Sequence, residues 1–216
     1  MTDFHLDGLT GRYRDQPVLG PFDLTLRRNE VVALVGSSGA GKSTLLSVLY
    51  QRLPHEVALL PQNLGLVEGL SVFHNVYIGR LDQHRWWQNL RTLIRPSRRQ
   101  IAEIAPILEQ LSLQEKIWVA AAELSGGQQQ RVGVARALYQ NQSVLLADEP
   151  VSALDPPRAR SVLEAIRQRY STAVIALHDV DLALEFSDRI IGLRDGQIFL
   201  DETVNDSTRQ RIMELY

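Results

Sequence analysis

Short apolar runs rich in β-branched residues recur at Phe22 to Leu26, Glu30 to Val35, Glu56 to Leu60, Ser143 to Ala147, Ala173 to Leu177 and Arg189 to Leu193. Each predicts a strand. Val31 to Val35 and Val144 to Ala147 are apolar without alternation, the pattern of strands covered on both faces of a parallel sheet. Helical stretches follow several of the runs, at Lys42 to Gln51, Gln128 to Tyr139, Pro156 to Tyr170 and Val180 to Phe186. Strand followed by helix predicts an α/β fold of the doubly wound kind.

The stretch Val72 to Leu124 interrupts this series. It is helix-like, holds Trp86, Trp87 and Trp118, and reads as a helical subdomain inserted into the core. Ser97 is placed to cap a helix starting at Arg98, and Pro106 is expected to kink or end it. Asp195-Gly196 lies between the apolar runs Ile190 to Arg194 and Gln197 to Leu200, and reads as the tight turn of a hairpin without chemistry of its own. The length of 216 residues suits one domain, with a core of residues 1–71 and 135–216 and the helical subdomain at about 72–134.

Composition narrows the partners. Lys plus Arg number 23 against 25 Asp plus Glu, a balance that offers no field for nucleic acid, and no nucleic-acid partner is expected. There is no cysteine, so disulfides and thiolate metal sites are impossible. The start MTDFHLDGLTGRY lacks a basic cluster followed by a long apolar run, and nowhere does the chain approach the ~20 apolar residues of a membrane span. A membrane role is expected to come through a partner.

Three segments carry chemistry. Gly36-Ser37-Ser38-Gly39-Ala40-Gly41-Lys42-Ser43-Thr44 fits the phosphate-binding pattern of glycine, four residues, Gly-Lys and Ser or Thr. A buried strand precedes it and a helix follows, so backbone N–H groups can wrap a β-phosphate at the positive end of that helix. Lys42 is expected to reach the β/γ-phosphates of ATP, and Ser43 to ligate magnesium. Val144 to Glu149 is an apolar strand ending in two carboxylates. Asp148 is placed to hold magnesium through water, and Glu149 to polarise an attacking water.

The third segment is Leu124-Ser125-Gly126-Gly127-Gln128, followed by Gln129-Gln130-Arg131. It resembles the signature sequence of ATP-binding cassette (ABC) proteins, and the order of motifs along nearly the whole chain agrees. The resemblance implies a P-loop NTPase core with a mostly parallel sheet, an antiparallel β-subdomain and an inserted helical subdomain. Gln62 resembles the glutamine loop that contacts metal and attacking water and faces the membrane partner. Ser152-Ala153-Leu154-Asp155 resembles the loop that crosses the dimer interface, and His178 the switch histidine that contacts the γ-phosphate. Tyr13 resembles the aromatic residue that stacks on adenine, with an ordinary tyrosine as the alternative.

The resemblance further implies a homodimer or pseudo-dimer with each ATP held between Lys42 of one copy and Ser125 to Gln128 of the other, and separate transmembrane permease subunits. The chain would then work at the cytoplasmic face of the cell membrane. A soluble ABC protein acting as an ATP-gated clamp is the alternative class; it usually shows paired cassettes or a long coiled coil, and neither is seen here. Leu124 to Ala137, Ala147 to Pro156 and Leu177 to Gly196, with Asn75-Val76 and Gly79-Arg80-Leu81 ahead of the tryptophans, resemble ATP-binding subunits of phosphonate importers, the third stretch being more particular than the first two. Gln62 follows Lys42 by only twenty positions, so the β-subdomain is expected to be reduced. Trp86-Trp87 fits either a docking surface or burial in the helical subdomain.

Overall fold

The computed structural model describes residues 3–13, 16–53 and 57–215. In chain order they form β1 (Phe4–Tyr13), β2 (Gln16–Leu26), β3 (Val31–Val35), α1 (Lys42–Arg52), β4 (Val57–Leu60), α2 (Val72–Tyr77), α3 (Trp86–Ile94), α4 (Arg98–Gln110), α5 (Gly126–Gln140), β5 (Val144–Asp148), α6 (Pro156–Arg169), β6 (Thr172–Ala176), α7 (Val180–Phe186), β7 (Arg189–Arg194), β8 (Gln197–Thr203) and α8 (Thr208–Met213). A 3₁₀ turn, Ile78–Gln83, links α2 towards α3. Contacts group the chain into two units, one of Met1–Gln62, Gln142–Ser152 and Arg167–Tyr216, the other of Asn63–Asn141 and Ala153–Ile166.

The first unit holds a six-stranded sheet in the order β4-β5-β6-β3-β7-β8. Its first five strands pair in parallel, and β8 returns antiparallel to β7. Every residue of β3, β5 and β6 is buried, as the unbroken apolar runs require of strands covered on both sides. Alternate residues, Val32 and Leu34, Val144 and Leu146, Val174 and Ala176, Ile191 and Leu193, share one core with Leu45, Leu46 and Leu49 of α1 and leucines of β1 and β2. The helix and the small antiparallel β1–β2 sheet therefore pack on the same face, fixing the direction in which α1 leaves β3.

The β-subdomain is reduced: α1 ends at Arg52 and β4 begins at Val57, leaving no strand between them among the described residues. The expected hairpin turn is present, with Arg194 opposite Gln197 and both Asp195 and Gly196 at positive φ.

In the second unit, Ser97 caps α4 as expected, its hydroxyl accepting from Gln100 N and its own N–H donating to Gln100 Oε1 at 2.9 Å. Pro106 does not end this helix, which runs on to Gln110. Residues 102 and 106 are both exposed, so water can take the Ala102 carbonyl freed by the missing N–H, while Ile104 and Leu108 anchor the other face. Asn75 is fully buried and ties its own N-terminal loop, donating to Val67 O, Leu70 O and Ser71 O and accepting from Val67 N. Trp86 and Trp87 are not buried; they are 77% and 44% exposed on α3. Among the described residues no helix is long and apolar enough to cross a membrane.

Candidate functional site

Parallel pairing sets the ends of β3, β4, β5 and β6 at one edge of the sheet, and the residues following each of them meet there. The loop from Gly36 to Gly41 leaves β3 and enters α1. Gly36 and Gly41 take φ of 142° and 104°, values open to glycine. A Cβ on Gly36 would stand 2.3 Å from Leu193 O, so the first position of the loop is closed to any larger residue. Ala40 N donates to Ser37 O at 3.2 Å and Leu45 N to Gly41 O at 2.8 Å, which turns the loop into the first turn of α1. Ser37, Ser38, Gly39 and Ser43 are exposed; Thr44 is half-buried.

Lys42 is 6% exposed, and its ammonium donates to Gly36 O at 2.7 Å and Ser37 O at 3.1 Å. Burial lowers its pKa, and the nearby charges of Glu149 and Asp148 partly restore it. Asp148, the last residue of β5, is 7% exposed. Burial raises its pKa, against the hydrogen bond donated by the Ser43 hydroxyl. Its Oδ1 is buried with no hydrogen-bond partner. A carboxylate held this way, next to a hydroxyl, suits a hard cation that takes oxygen ligands. Among the described residues no three His, Cys, Asp or Glu side chains are grouped to hold a metal, so hydroxyl, water and phosphate oxygens would have to complete such a site.

Glu149 leaves the strand at φ 53°, a left-handed conformation that a side chain disfavours, and its N–H donates to Ala176 O of the neighbouring strand. This turn aims the carboxylate at His178, whose Nε2 lies 2.5 Å from Glu149 Oε1. Gln62 Nε2 approaches Oε2 at 3.5 Å. A cavity of about 340 Å³ opens here, lined by Lys42, Ser43, Gln62, Glu149 and His178 together with the loop. The structure thus brings together the phosphate loop, the acidic pair, the glutamine and the histidine.

Two neighbours of the loop escaped sequence reasoning. Val18 of β2 lines the cavity. Gly196, at the β7–β8 turn, donates to Ala40 O and accepts from Gly20 N at 2.8 Å, and a Cβ on it would lie 2.3 Å from Val18 O. The turn that looked merely structural braces the loop, a contact without any local sequence signal. Tyr13 cannot be compared in the same way: its side chain lies outside the described residues.

Ser125 to Gln128 and Asp155 belong to the second unit. Ser125 caps α5 in a reciprocal box, its N–H donating to Gln128 Oε1 at 2.9 Å while Gln128 N donates to its hydroxyl. Ser125 and Gly126 are exposed, at the electropositive end of a 15-residue helix. Gln130 Oε1 accepts from Ala153 N at 2.8 Å, and a Cβ on Gly127 would meet Ala153 O at 3.0 Å. Signature helix and the segment carrying Asp155 are therefore pinned to each other. Asp155 Oδ1 accepts from Arg158 N, and Oδ2 pairs with its guanidinium at 2.5 Å.

Comparison with known proteins agrees with this architecture. The family profile described as ABC transporter matches residues 19–152. The chain is 37% identical over 224 residues to the phosphonates import ATP-binding protein PhnC of Shouchella clausii, covering 90% of this chain and 83% of the relative. It is also 37% identical over 243 residues to PhnC of Thiobacillus denitrificans, covering 100% and 93%. A solved ATP-binding cassette, dimeric in a post-hydrolysis state with ADP and Pi, superposes with a TM-score of 0.78 at 25% identity, covering 93% of this chain and 98% of that one. Motif order, the loop at the sheet edge and these similarities lead to one assignment: the chain belongs to the ABC transporter family, as an ATP-binding subunit that hydrolyses ATP.

Proposed function

We propose that this chain is the energy-coupling ATPase of a phosphonate-type importer, acting at the cytoplasmic face of the membrane on separate permease subunits. The observation that carries the importer reading is the 37% identity, over 90% of the chain, to a protein named for phosphonate import.

For the chemistry, the supporting observation is the Glu149 carboxylate held between His178 and Gln62 beside the phosphate loop. Gly36 to Thr44 bind the phosphates of ATP through backbone N–H groups, and Lys42 exchanges its two carbonyl partners for phosphate oxygens. Glu149 orients water for attack and takes up its proton. His178 fixes that carboxylate and contacts the γ-phosphate. Ser43, Asp148 and Gln62 are the residues to hold magnesium, which when bound neutralises charge on the phosphate oxygens. Tyr13 stacks on adenine.

Ser125 to Gln128 bind the γ-phosphate of ATP seated on the other copy of a homodimer or pseudo-dimer, and Asp155 lies on the loop that crosses between copies. The exposed helix start at Ser125 supports this, as does the dimeric state of the related cassette. The site-bearing core of residues 1–71 and 135–216 and the helical subdomain of about 72–134 divide the labour of hydrolysis and coupling.

The test is reconstitution with the permease subunits and solute receptor of a phosphonate-type importer from the same source. ATP hydrolysis should rise when the receptor is loaded with methylphosphonate. Stimulation only by an unrelated solute would overturn the cargo, and failure to associate with any membrane subunit would overturn the transport role.

A further inference from the structure

The second unit contains a cavity of about 410 Å³ formed by the Ile78–Gln83 turn, α3 and the start of α4. Its charged walls are Arg80, Arg91, Arg95 and Arg99 against one carboxylate, Glu103. That carboxylate is already engaged: it accepts from Arg99 Nε at 3.0 Å and from Tyr139 Oη at 3.3 Å, with Arg80 at 4.0 Å. The guanidinium groups of Arg91 and Arg95 form no ion pair among the described residues.

Two further polar atoms in this wall, Arg80 Nε and His84 Nε2, are buried with no hydrogen-bond partner. Neither side chain is loose. The Arg80 guanidinium lies 4.1 Å over the Tyr139 ring, and His84 stacks on Tyr77 at 5.4 Å with 9° between planes. Buried polar atoms in a folded protein are seldom left unpaired, and both belong to side chains that line this cavity. The charge is also local. Residues 80–99 carry six arginines and a single aspartate in a chain whose formal net charge is −2.

We propose that this cavity is an oxyanion site for a phosphate or phosphonate group, held entirely within the second unit. Guanidinium forks match tetrahedral oxyanions better than ammonium groups do, and four of them line this cavity. Two sources share this chemistry. One is a free small anion. The other is a phospholipid headgroup, because Trp87, Arg91 and Arg95 also border an apolar shelf with Leu90 and Ile94 that an acyl chain would cover. The proposal does not depend on the importer assignment. Occupancy would be felt by α5 through Tyr139, at the far end of the helix that Ser125 caps.

The test uses the full chain with its phosphate loop saturated by magnesium and a non-hydrolysable ATP analogue. Calorimetric titration with inorganic phosphate or methylphosphonate at low salt should find one further equivalent bound. Arg91→Gln with Arg95→Gln should weaken it by about tenfold or more, and Arg91→Lys with Arg95→Lys by less, since each lost fork removes charge-assisted hydrogen bonds. A second arm measures cosedimentation with phosphatidylcholine vesicles with and without about one phosphatidic acid in five lipids. Extra free-anion binding that needs both arginines supports the site with a soluble ligand. Binding only to phosphatidic acid vesicles, lost in the glutamine pair, supports it with a headgroup. No binding in either arm, or binding unchanged in the glutamine pair, overturns it. Arg91 and Arg95 are exposed, and unchanged basal ATP hydrolysis will verify that both variants fold.

Discussion

His178 and Glu149 are joined by a 2.5 Å hydrogen bond although 29 positions separate them in sequence. The bond exists because β5 and β6 are parallel neighbours whose ends lie side by side. It fixes one carboxylate oxygen of a residue whose backbone is already held in a left-handed turn, and so sets where the proposed proton acceptor stands.

Glu149→Gln should therefore keep nucleotide binding and lose turnover by about 10²–10⁴-fold, the range for removing a positioned general base. Gel filtration of this variant with ATP should show an accumulated dimer. Hydrolysis at the wild-type rate would remove Glu149 from the mechanism.

On the proposed mechanism His178→Ala should lower kcat by about 10–100-fold and raise KM by less, because the histidine positions the Glu149 carboxylate as well as contacting the γ-phosphate. Steady-state kinetics decides this. A change confined to KM would assign His178 to binding alone.

Lys42→Ala should weaken ATP binding by about tenfold or more, since charge-assisted contacts to phosphate are lost. Titration with a fluorescent ATP analogue measures this. Retained tight binding would count against the phosphate-loop assignment.

Gly36→Ala places a Cβ 2.3 Å from Leu193 O at a φ of 142°. Chemical denaturation should show a loss of about 2–4 kcal/mol, as for other overpacked or strained backbone sites. An unchanged midpoint would mean that the loop can move away from β7.

Asp148 carries a pH prediction. Its folded pKa is raised above the ordinary 3.8 by burial, so between those two values the folded chain binds more protons than the unfolded one. Stability of the nucleotide-free chain should fall as pH rises through this window. Asp148→Asn should remove that slope in thermal melts from about pH 4 to 7, and should also abolish the stabilisation that magnesium adds with ATP. A slope identical to wild type would show that Asp148 is not the group responsible.

The strand runs and the phosphate loop were readable because their physics is contiguous: burial on two faces demands unbroken apolar residues, and wrapping a phosphate demands small ones in a row. β1 was not readable. Its alternation is broken by register shifts after Leu6, Leu9 and Gly11, and bulges of this kind defeat a period-two search. Pro106 does not end α4 because a breaker on a solvated helix face leaves a carbonyl that water can satisfy. The brace from Gly196 to the loop joins positions 156 apart, and only the fold makes them neighbours.

Lys42 bridges Gly36 O and Ser37 O, so the loop is tied back on itself by the side chain proposed to take the phosphates. Capture of ATP then asks one side chain to exchange partners, on a backbone preorganised to receive it.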